Sequence, residues 1–244
     1  MNRNQFIKLS TITGIGMASI PFWAFKKKER GLSYDELIGK GNPELFGNGF
    51  KLREEAHDAF LLLKKEAEKS GISINIVSSY RSFSHQNTIW ERKYKSYTSQ
   101  GLSAVEIIQK IIEYSTIPGT SRHHWGTDMD IVDANAKQPS NLLNPENFEP
   151  NASFGKLKQW MDANSKNYGF YLVYTDETNR KGFKYEPWHY SYRPLSCKYL
   201  SEYRLLNLGE ILQTERLMGS DHFSETFVHT YFNENILDIN PELL

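Results

Sequence analysis

The most informative stretch of this sequence reads Ser121-Arg122-His123-His124-Trp125-Gly126-Thr127-Asp128-Met129-Asp130. His123 precedes Asp130 by seven positions, and Gly126, a residue type that favours turns, lies between them. A turn at Gly126 that leads into a strand over residues 129–132 brings both side chains to face one point. The segment therefore predicts a strand that carries a functional site at its start.

The segments on either side predict alternating helices and short strands. Apolar residues spaced by three and four predict an amphipathic helix over residues 50–69. Three isoleucines from Ile72 to Ile76 alternate with polar residues, which is typical of a half-buried strand. Ser103, with Glu106 three positions later, forms a capping-box pattern at the start of another helix. The remaining predictions are helices over 85–97 and 157–169, strands over 170–174 and 183–190 that pair as a hairpin, and helices from 195 onward.

This order of elements predicts an α+β fold, in which a small antiparallel sheet carries the site and helices flank it. The main domain is predicted over residues 31–202. Residues 203–244 contain further apolar residues at helical spacing, and they predict a helical extension that packs on that domain.

The charge balance and the cysteine count exclude several classes of function. Lys+Arg and Asp+Glu both number 29, so the formal net charge is +0 and we expect no nucleic-acid partner. The single cysteine, Cys197, excludes an intramolecular disulfide and a multi-cysteine zinc site. Any metal is therefore expected on His, Asp or Glu side chains.

Residues 1–30 have the charge pattern of an export signal or a membrane anchor. Arg3 and Lys8 precede an apolar run at residues 9–25, and three lysines follow it. The start of the chain resembles the twin-arginine export pattern, except that Asn4 stands where that pattern has its second arginine. We expect a bacterial protein exported to the periplasm or cell envelope, either released or anchored in the membrane by residues 9–25. The alternative is an N-terminal helix that packs on the domain.

A second segment, Glu186-Pro187-Trp188-His189, adds a histidine and a carboxylate to the first. Catalytic zinc takes three protein ligands, with nitrogen and carboxylate oxygen acceptable, and keeps a fourth position open for water. His123, Asp130 and His189 supply such a set, and Glu186 is the natural general base beside the water. An α+β domain without a metal is the alternative that spacing alone leaves open.

Four motifs occur in register along the chain. Residues 121–130 have the pattern Ser-x-His-x-x-Gly-x-x-x-Asp, and residues 186–189 read Glu-Pro-Trp-His. Upstream, Tyr80-Arg81-Ser82 is followed by Gln86, and Tyr168-Gly169-Phe170 precedes the predicted hairpin. Together these motifs resemble those of the bacterial VanY-type D-alanyl-D-alanine carboxypeptidases and the related LD-carboxypeptidases, which are zinc metallopeptidases. The resemblance covers roughly residues 54–194.

The resemblance implies Zn²⁺ bound by His123, Asp130 and His189, with Glu186 as the catalytic base. It also implies that the enzyme hydrolyses the C-terminal D-alanine bond of peptidoglycan stem peptides, as a DD- or an LD-carboxypeptidase. A peptidoglycan endopeptidase and a non-catalytic, zinc-containing binding module of the same fold are the alternatives. The presence of Glu186 favours an enzyme, because a structural zinc site needs no base.

Three further residues are assigned to the pocket by the same resemblance. A guanidinium at Arg81 can stabilise the oxyanion or bind the terminal carboxylate of the substrate, and the alternative is a structural pair with a nearby acid. Ser121 and Gln86 are expected to bind substrate, or else to serve as a helix cap or a loop residue.

Two neighbours of the proposed ligands lead to separate expectations. We expect His124 beside the site or at the surface, because adjacent side chains of an extended segment point opposite ways. Asp128 stands where the family commonly has a small residue such as alanine, and it shares a strand face with Asp130. We expect Asp128 to compete as a ligand or to form a hydrogen bond with His123.

Overall fold

The structure is a computed structural model that describes residues 32–244. The signal or anchor predicted at residues 1–30 lies outside the described residues. Within the part of the chain that is described, no helix has the length and apolar character needed to cross a membrane.

From residue 54 onward the helices and strands follow the predicted alternation, whereas the four-residue helix Tyr34–Leu37 was not predicted. In chain order they are α1 (Tyr34–Leu37), α2 (Glu54–Glu68), β1 (Ile74–Ser78), α3 (Phe83–Ser99), α4 (Ala104–Ile111), β2 (Asp128–Asp133), α5 (Gly155–Asn164), β3 (Phe170–Leu172), β4 (His189–Tyr192), α6 (Arg193–Tyr203), α7 (Leu208–Thr214) and α8 (Glu225–Tyr231).

The strands of residues 32–244 form one antiparallel sheet in the order β1-β2-β4-β3. β2 lies between β1 and β4, and all of its residues are buried. The strand that contains Asp130 is therefore enclosed on both edges by its neighbours. The prediction of an α+β fold, with a small antiparallel sheet and flanking helices, is confirmed.

The predicted hairpin pairs as expected, but its second strand begins later in the chain. β3 pairs with β4, with Phe170 opposite Tyr192, whereas the prediction placed the second strand at residues 183–190. The physical reason is a turn, in which the His189 N–H donates to the Glu186 carbonyl at 3.1 Å. Pro187 lies inside this turn and has no N–H for a strand ladder. The strand therefore begins at His189.

Local caps determine where the helices near the site begin. Ser103 and Glu106 form the predicted capping box at the start of α4. Ser82 caps α3, because its Oγ accepts a hydrogen bond from the His85 N–H at 3.2 Å. Since α3 begins directly after Ser82, Arg81 lies in the short connection between β1 and α3.

Two clusters of buried apolar side chains hold these elements together. One joins α2 to the sheet and includes Phe60, Ile74 and Met129. The other joins α3 and α4 to the C-terminal segment, from which it includes Leu212 and Tyr231. The segment from residue 203 onward thus contributes to a core that it shares with the helices before it.

Candidate active site

The register between β2 and β4 places two of the candidate ligands side by side. Asp130 and His189 are direct cross-strand partners, and such partners have Cβ atoms about 4.5–5.5 Å apart. His189 Nδ1 lies 3.8 Å from Asp130 Oδ1. Both residues are buried. Sheet pairing therefore brings together two residues that are far apart in the sequence.

His123 reaches the same point from a short 3-10 helix, Arg122–Trp125, that precedes β2. Gly126 ends this helix in a left-handed conformation with φ 70°, which is the turn that the sequence predicts. The His123 Nδ1–H donates to the Ser79 carbonyl at 2.8 Å, so that Nε2 faces Asp130 Oδ2 at 3.4 Å. Burial lowers the pKa of His123 to about 4. The imidazole is therefore neutral near pH 7, as a metal ligand must be.

Unpaired atoms in this cluster show that it fits a metal ion. One ligand atom from each of His123, Asp130 and His189 lies within 4.8 Å of the others. Within the described residues, His123 Nε2 and Asp130 Oδ1 are buried and have no hydrogen-bond partner. Leaving such atoms unpaired is costly, so a group that binds both is expected between them. Two imidazole nitrogens and one carboxylate oxygen are a donor set that suits catalytic zinc.

The turn from Glu186 to His189 places the candidate base beside this cluster. Glu186 Oε2 lies 2.9 Å from His189 Nδ1. The Glu186 N–H donates to the Tyr174 carbonyl at 3.2 Å, which fixes the turn against the segment that follows β3. Burial raises the pKa of the Glu186 carboxyl, and the hydrogen bond with His189 opposes this effect. A carboxylate whose pKa is raised in this way is a stronger base.

Arg81 faces the same cavity and is held by Gln86. The Arg81 guanidinium donates to Gln86 Oε1 at 2.8 Å, and the Gln86 amide donates to the Thr116 carbonyl at 2.8 Å. The partner of Arg81 is thus an amide rather than the acid that the structural alternative required. In the described part of the chain, Arg81 Nε is buried without a partner. Gln86 is fully buried behind Arg81 and does not line the cavity.

The cavity around the cluster has a volume of about 640 Å³. Ser121 lines it, and the same residue caps the short helix, since its Oγ accepts from the His123 N–H at 3.3 Å. Lys93 also lines the cavity, although it belongs to none of the motifs in the sequence. His85 and Ile89 line the cavity from the same helix, so a spacing of four along α3 was the available signal. Burial lowers the pKa of the Lys93 ammonium.

His124 supports the backbone around the site. Its Nδ1–H donates to the Arg81 carbonyl at 2.6 Å, and its Nε2 accepts from the Gly119 N–H at 3.1 Å. The side chain is fully buried, so the surface position that we considered for it is wrong. Because both ring nitrogens are used, His124 joins two backbone segments that flank the cavity.

Asp128 contacts His189, and the expected hydrogen bond with His123 is wrong. Asp128 Oδ2 lies 3.0 Å from His189 Nε2. The reason is the strand register, in which Asp128 is opposite Ser191 and therefore diagonal to His189 on β4. The metal-ligand alternative for Asp128 also fails, because its carboxylate lies on the side of the His189 ring that faces away from Asp130.

Comparisons with known proteins identify the family of this chain. Residues 49–195 match the family described as VanY, D-alanyl-D-alanine carboxypeptidase. The D-alanyl-D-alanine carboxypeptidase of Enterococcus faecalis is 27% identical over 190 residues, which cover 74% of this chain and 66% of that protein. The chain thus spans just under two thirds of the length of this relative.

Two solved structures share the fold. VanYB in complex with D-Alanine-D-Alanine has a TM-score of 0.52 and 25% sequence identity, over 72% of this chain and 92% of that one. A mutant of the vancomycin resistance D,D-pentapeptidase VanY in complex with Zn(II) has a TM-score of 0.50 and 24% identity, over 66% of this chain and 83% of that one.

Proposed function

Because the chain belongs to the family of VanY D-alanyl-D-alanine carboxypeptidases, we propose that it is a zinc-dependent carboxypeptidase acting on peptidoglycan stem peptides. The bond that it hydrolyses is the one before a C-terminal D-alanine, as in a DD- or an LD-carboxypeptidase. The observation that carries this proposal is the meeting of His123, Asp130, His189 and Glu186 in one cavity.

The side chains around the cluster are suited to peptide hydrolysis. His123, Asp130 and His189 would hold the zinc, which when bound would act as a Lewis acid and lower the pKa of a bound water to about 7. Glu186 accepts a proton at a carboxylate oxygen from the attacking water and delivers it to the nitrogen of the leaving D-alanine. Arg81, with its Nε unpaired, donates either to the oxygen on which negative charge develops or to the terminal carboxylate.

Two cations in the cavity favour a carboxypeptidase over an endopeptidase. Arg81 and Lys93 both line the space beside Glu186. A carboxypeptidase must recognise a free terminal carboxylate, and charge-assisted hydrogen bonds from Arg or Lys serve that purpose. With two cations present, one can bind this carboxylate while the other faces the scissile carbonyl. The similar structure of VanYB is a complex with D-Alanine-D-Alanine, which ends in such a carboxylate.

The proposed substrate lies outside the cytoplasmic membrane, so we propose that the protein is exported to the cell envelope of a bacterium. The basic and apolar pattern of residues 1–30 supports export, as a signal or as an anchor through residues 9–25. The proposed catalytic domain then covers residues 31–202, with residues 203–244 packed on it.

The decisive experiment combines zinc analysis with an assay on defined muropeptides. The purified full chain is incubated with tetrapeptide and pentapeptide substrates, with and without a chelator, and released D-alanine is measured by mass spectrometry. Release from the pentapeptide alone identifies a DD-carboxypeptidase, and release from the tetrapeptide alone an LD-carboxypeptidase. Stoichiometric zinc without release from either substrate would reject the carboxypeptidase, and absence of zinc would reject the whole mechanism.

The variant Glu186→Gln separates catalysis from metal binding. We expect it to retain zinc and the fold while hydrolysis falls by at least about 10²-fold, because general acid–base catalysis contributes about 10²–10⁴-fold. Glu177→Gln is the matched control, since Glu177 is exposed. Hydrolysis by the Glu186 variant at the rate of this control would show that Glu186 is not the base.

A further inference from the structure

Asp128 is a buried carboxylate that the proposed mechanism does not use. It is fully buried on β2, two positions before the ligand Asp130. A buried carboxylate is costly unless it is paired and hydrogen-bonded. The contacts that satisfy Asp128 therefore indicate what it does.

Four groups converge on this carboxylate. Its Oδ1 accepts from the Ser191 hydroxyl at 2.6 Å and from the Thr127 hydroxyl at 2.8 Å. Its Oδ2 accepts from Arg122 Nε at 2.9 Å and lies 3.0 Å from His189 Nε2. The Arg122 guanidinium also donates to Ser191 Oγ at 2.7 Å, which closes the network. The carboxylate is thus held in one orientation by three side chains and presents one oxygen to His189.

The two edges of the His189 ring face different carboxylates. Nε2 faces Asp128, whereas Nδ1 faces Asp130 at 3.8 Å and Glu186 at 2.9 Å. A neutral imidazole carries one proton, and the hydrogen bond made by one nitrogen determines which nitrogen can bind a metal. A proton on Nε2 that is donated to Asp128 leaves the lone pair of Nδ1 on the edge of the ring that faces Asp130 and Glu186.

We propose that Asp128 is a positioning residue that fixes the orientation and the tautomer of His189 for metal binding. This inference rests on the proposed zinc site. It extends that site by a network of Arg122, Thr127 and Ser191 around the Asp128 carboxylate. The effect of Asp128 is on zinc affinity first and on hydrolysis as a consequence.

The test measures zinc affinity of the full chain by competition with a chromophoric chelator. For Asp128→Asn we expect the dissociation constant for zinc to rise about 10–100-fold, the usual effect of removing a group that orients a metal ligand. Asp133→Asn is the matched control, because Asp133 is also buried on β2 but accepts from the Ser73 and Asn135 backbone N–H groups. An unchanged dissociation constant in the Asp128 variant would overturn the proposal.

Loss of Asp128 also leaves Arg122 as a buried cation, which by itself would repel zinc. The double variant Arg122→Met/Asp128→Asn removes both charges and distinguishes the two effects. Affinity that stays weak in the double variant supports positioning, whereas affinity restored to the wild-type value would show charge repulsion and overturn the proposal. Ser191→Ala is the variant to use if the asparagine variants do not fold, because it keeps both charges. We expect it to weaken zinc binding several-fold. Wild-type zinc affinity in Ser191→Ala would overturn the proposal.

The assays separate this proposal from the proposed function. A tenfold or greater loss of zinc affinity in a protein that releases no D-alanine supports the role of Asp128 and rejects the carboxypeptidase. Unchanged zinc affinity in an active enzyme rejects the role of Asp128 alone. A second readout is the ¹⁵N NMR signature of His189, for which we expect a single Nε2–H tautomer in the zinc-loaded wild type and a mixture in the Asp128 variant.

Discussion

At the scale of single residues, Lys93 has the clearest consequence for substrate choice. It projects into the cavity from the face of α3 that also carries His85 and Ile89. Arg81 is held by Gln86, whereas Lys93 approaches the cavity from a different element, one turn of α3 beyond Ile89. The two cations therefore suit two negative groups on one substrate, namely a terminal carboxylate and a developing oxyanion.

We predict that Lys93→Met raises the KM for a pentapeptide with a free C-terminus about 10-fold or more, because a hydrogen bond to a charged group contributes about 1.5–3 kcal/mol. A peptide with an amidated C-terminus has no carboxylate, so the small residual cleavage of that peptide should not change. Lys95→Met is the control, since Lys95 is exposed on the same helix and pairs with Glu91. Equal KM values for Lys93→Met and Lys95→Met would exclude the carboxylate role.

The sequence predicts the candidate metal ligands but not the roles of Asp128 and Lys93. His123, Asp130 and His189 belong to short motifs whose resemblance to those of zinc carboxypeptidases predicts a zinc site, whereas residue type and spacing alone leave a metal-free domain open. The hydrogen bond from His189 to Asp128 depends on the register of β2 against β4, which no local pattern contains. Lys93 enters the cavity because of the way α3 packs. The contacts of Asp128 and the position of Lys93 in the cavity therefore depend on the tertiary fold rather than on residue type.

At the scale of elements, the turn at Gly126 controls how the short helix with His123 joins β2. Gly126 has φ +70°, and a Cβ at this position would lie 2.8 Å from Leu45 Cδ2. A residue with a side chain in this conformation costs about 1–2 kcal/mol. The close contact adds to that cost, since Leu45 must move.

We therefore predict that Gly126→Ala lowers the free energy of unfolding by about 2 kcal/mol or more, the left-handed strain plus the contact. Gly101→Ala is a matched control, because Gly101 has φ +84° and no atom within 4 Å of an added Cβ. The control should show only the strain, about 1–2 kcal/mol. Urea unfolding of both variants measures the difference. Equal losses in the free energy of unfolding would show that Leu45 moves away from the added Cβ without a measurable cost.

The hairpin shows what the apolar pattern of a segment does not determine. Residues 183–190 are rich in aromatic residues, which favours a strand. The chain instead turns from Glu186 to His189, with Pro187 inside the turn, and pairs only from His189 onward. This turn places Glu186 and His189 within hydrogen-bond distance. The departure from a regular strand is thus what brings the candidate base to the candidate ligand.

At the scale of the whole molecule, the C-terminal segment is connected to the site through Tyr231. Its hydroxyl accepts from the Ile117 N–H at 3.1 Å and lies 2.9 Å from Thr120 Oγ1. Thr120 Oγ1 in turn donates to the Ile117 carbonyl at 2.7 Å. These bonds hold the segment that leads directly into Ser121 and His123. Residues 203–244 therefore support the approach to the candidate metal site.

We predict that Tyr231→Phe lowers the free energy of unfolding by about 1–3 kcal/mol, because the Ile117 N–H and a Thr120 acceptor are left unpaired in the core. The corresponding fall in Tm is about 2–4 °C per kcal/mol for a domain of this size. Tyr190→Phe is the matched control, because in the described residues the buried Tyr190 hydroxyl has no partner. Its removal should leave stability unchanged or raise it. Hydrogen exchange adds a local readout, because amide protection in Tyr231→Phe should fall most around Ile117. A uniform loss of protection along the chain would mean that Tyr231 does not support the segment leading to His123. Equal Tm values for the Tyr231 and Tyr190 variants would mean the same.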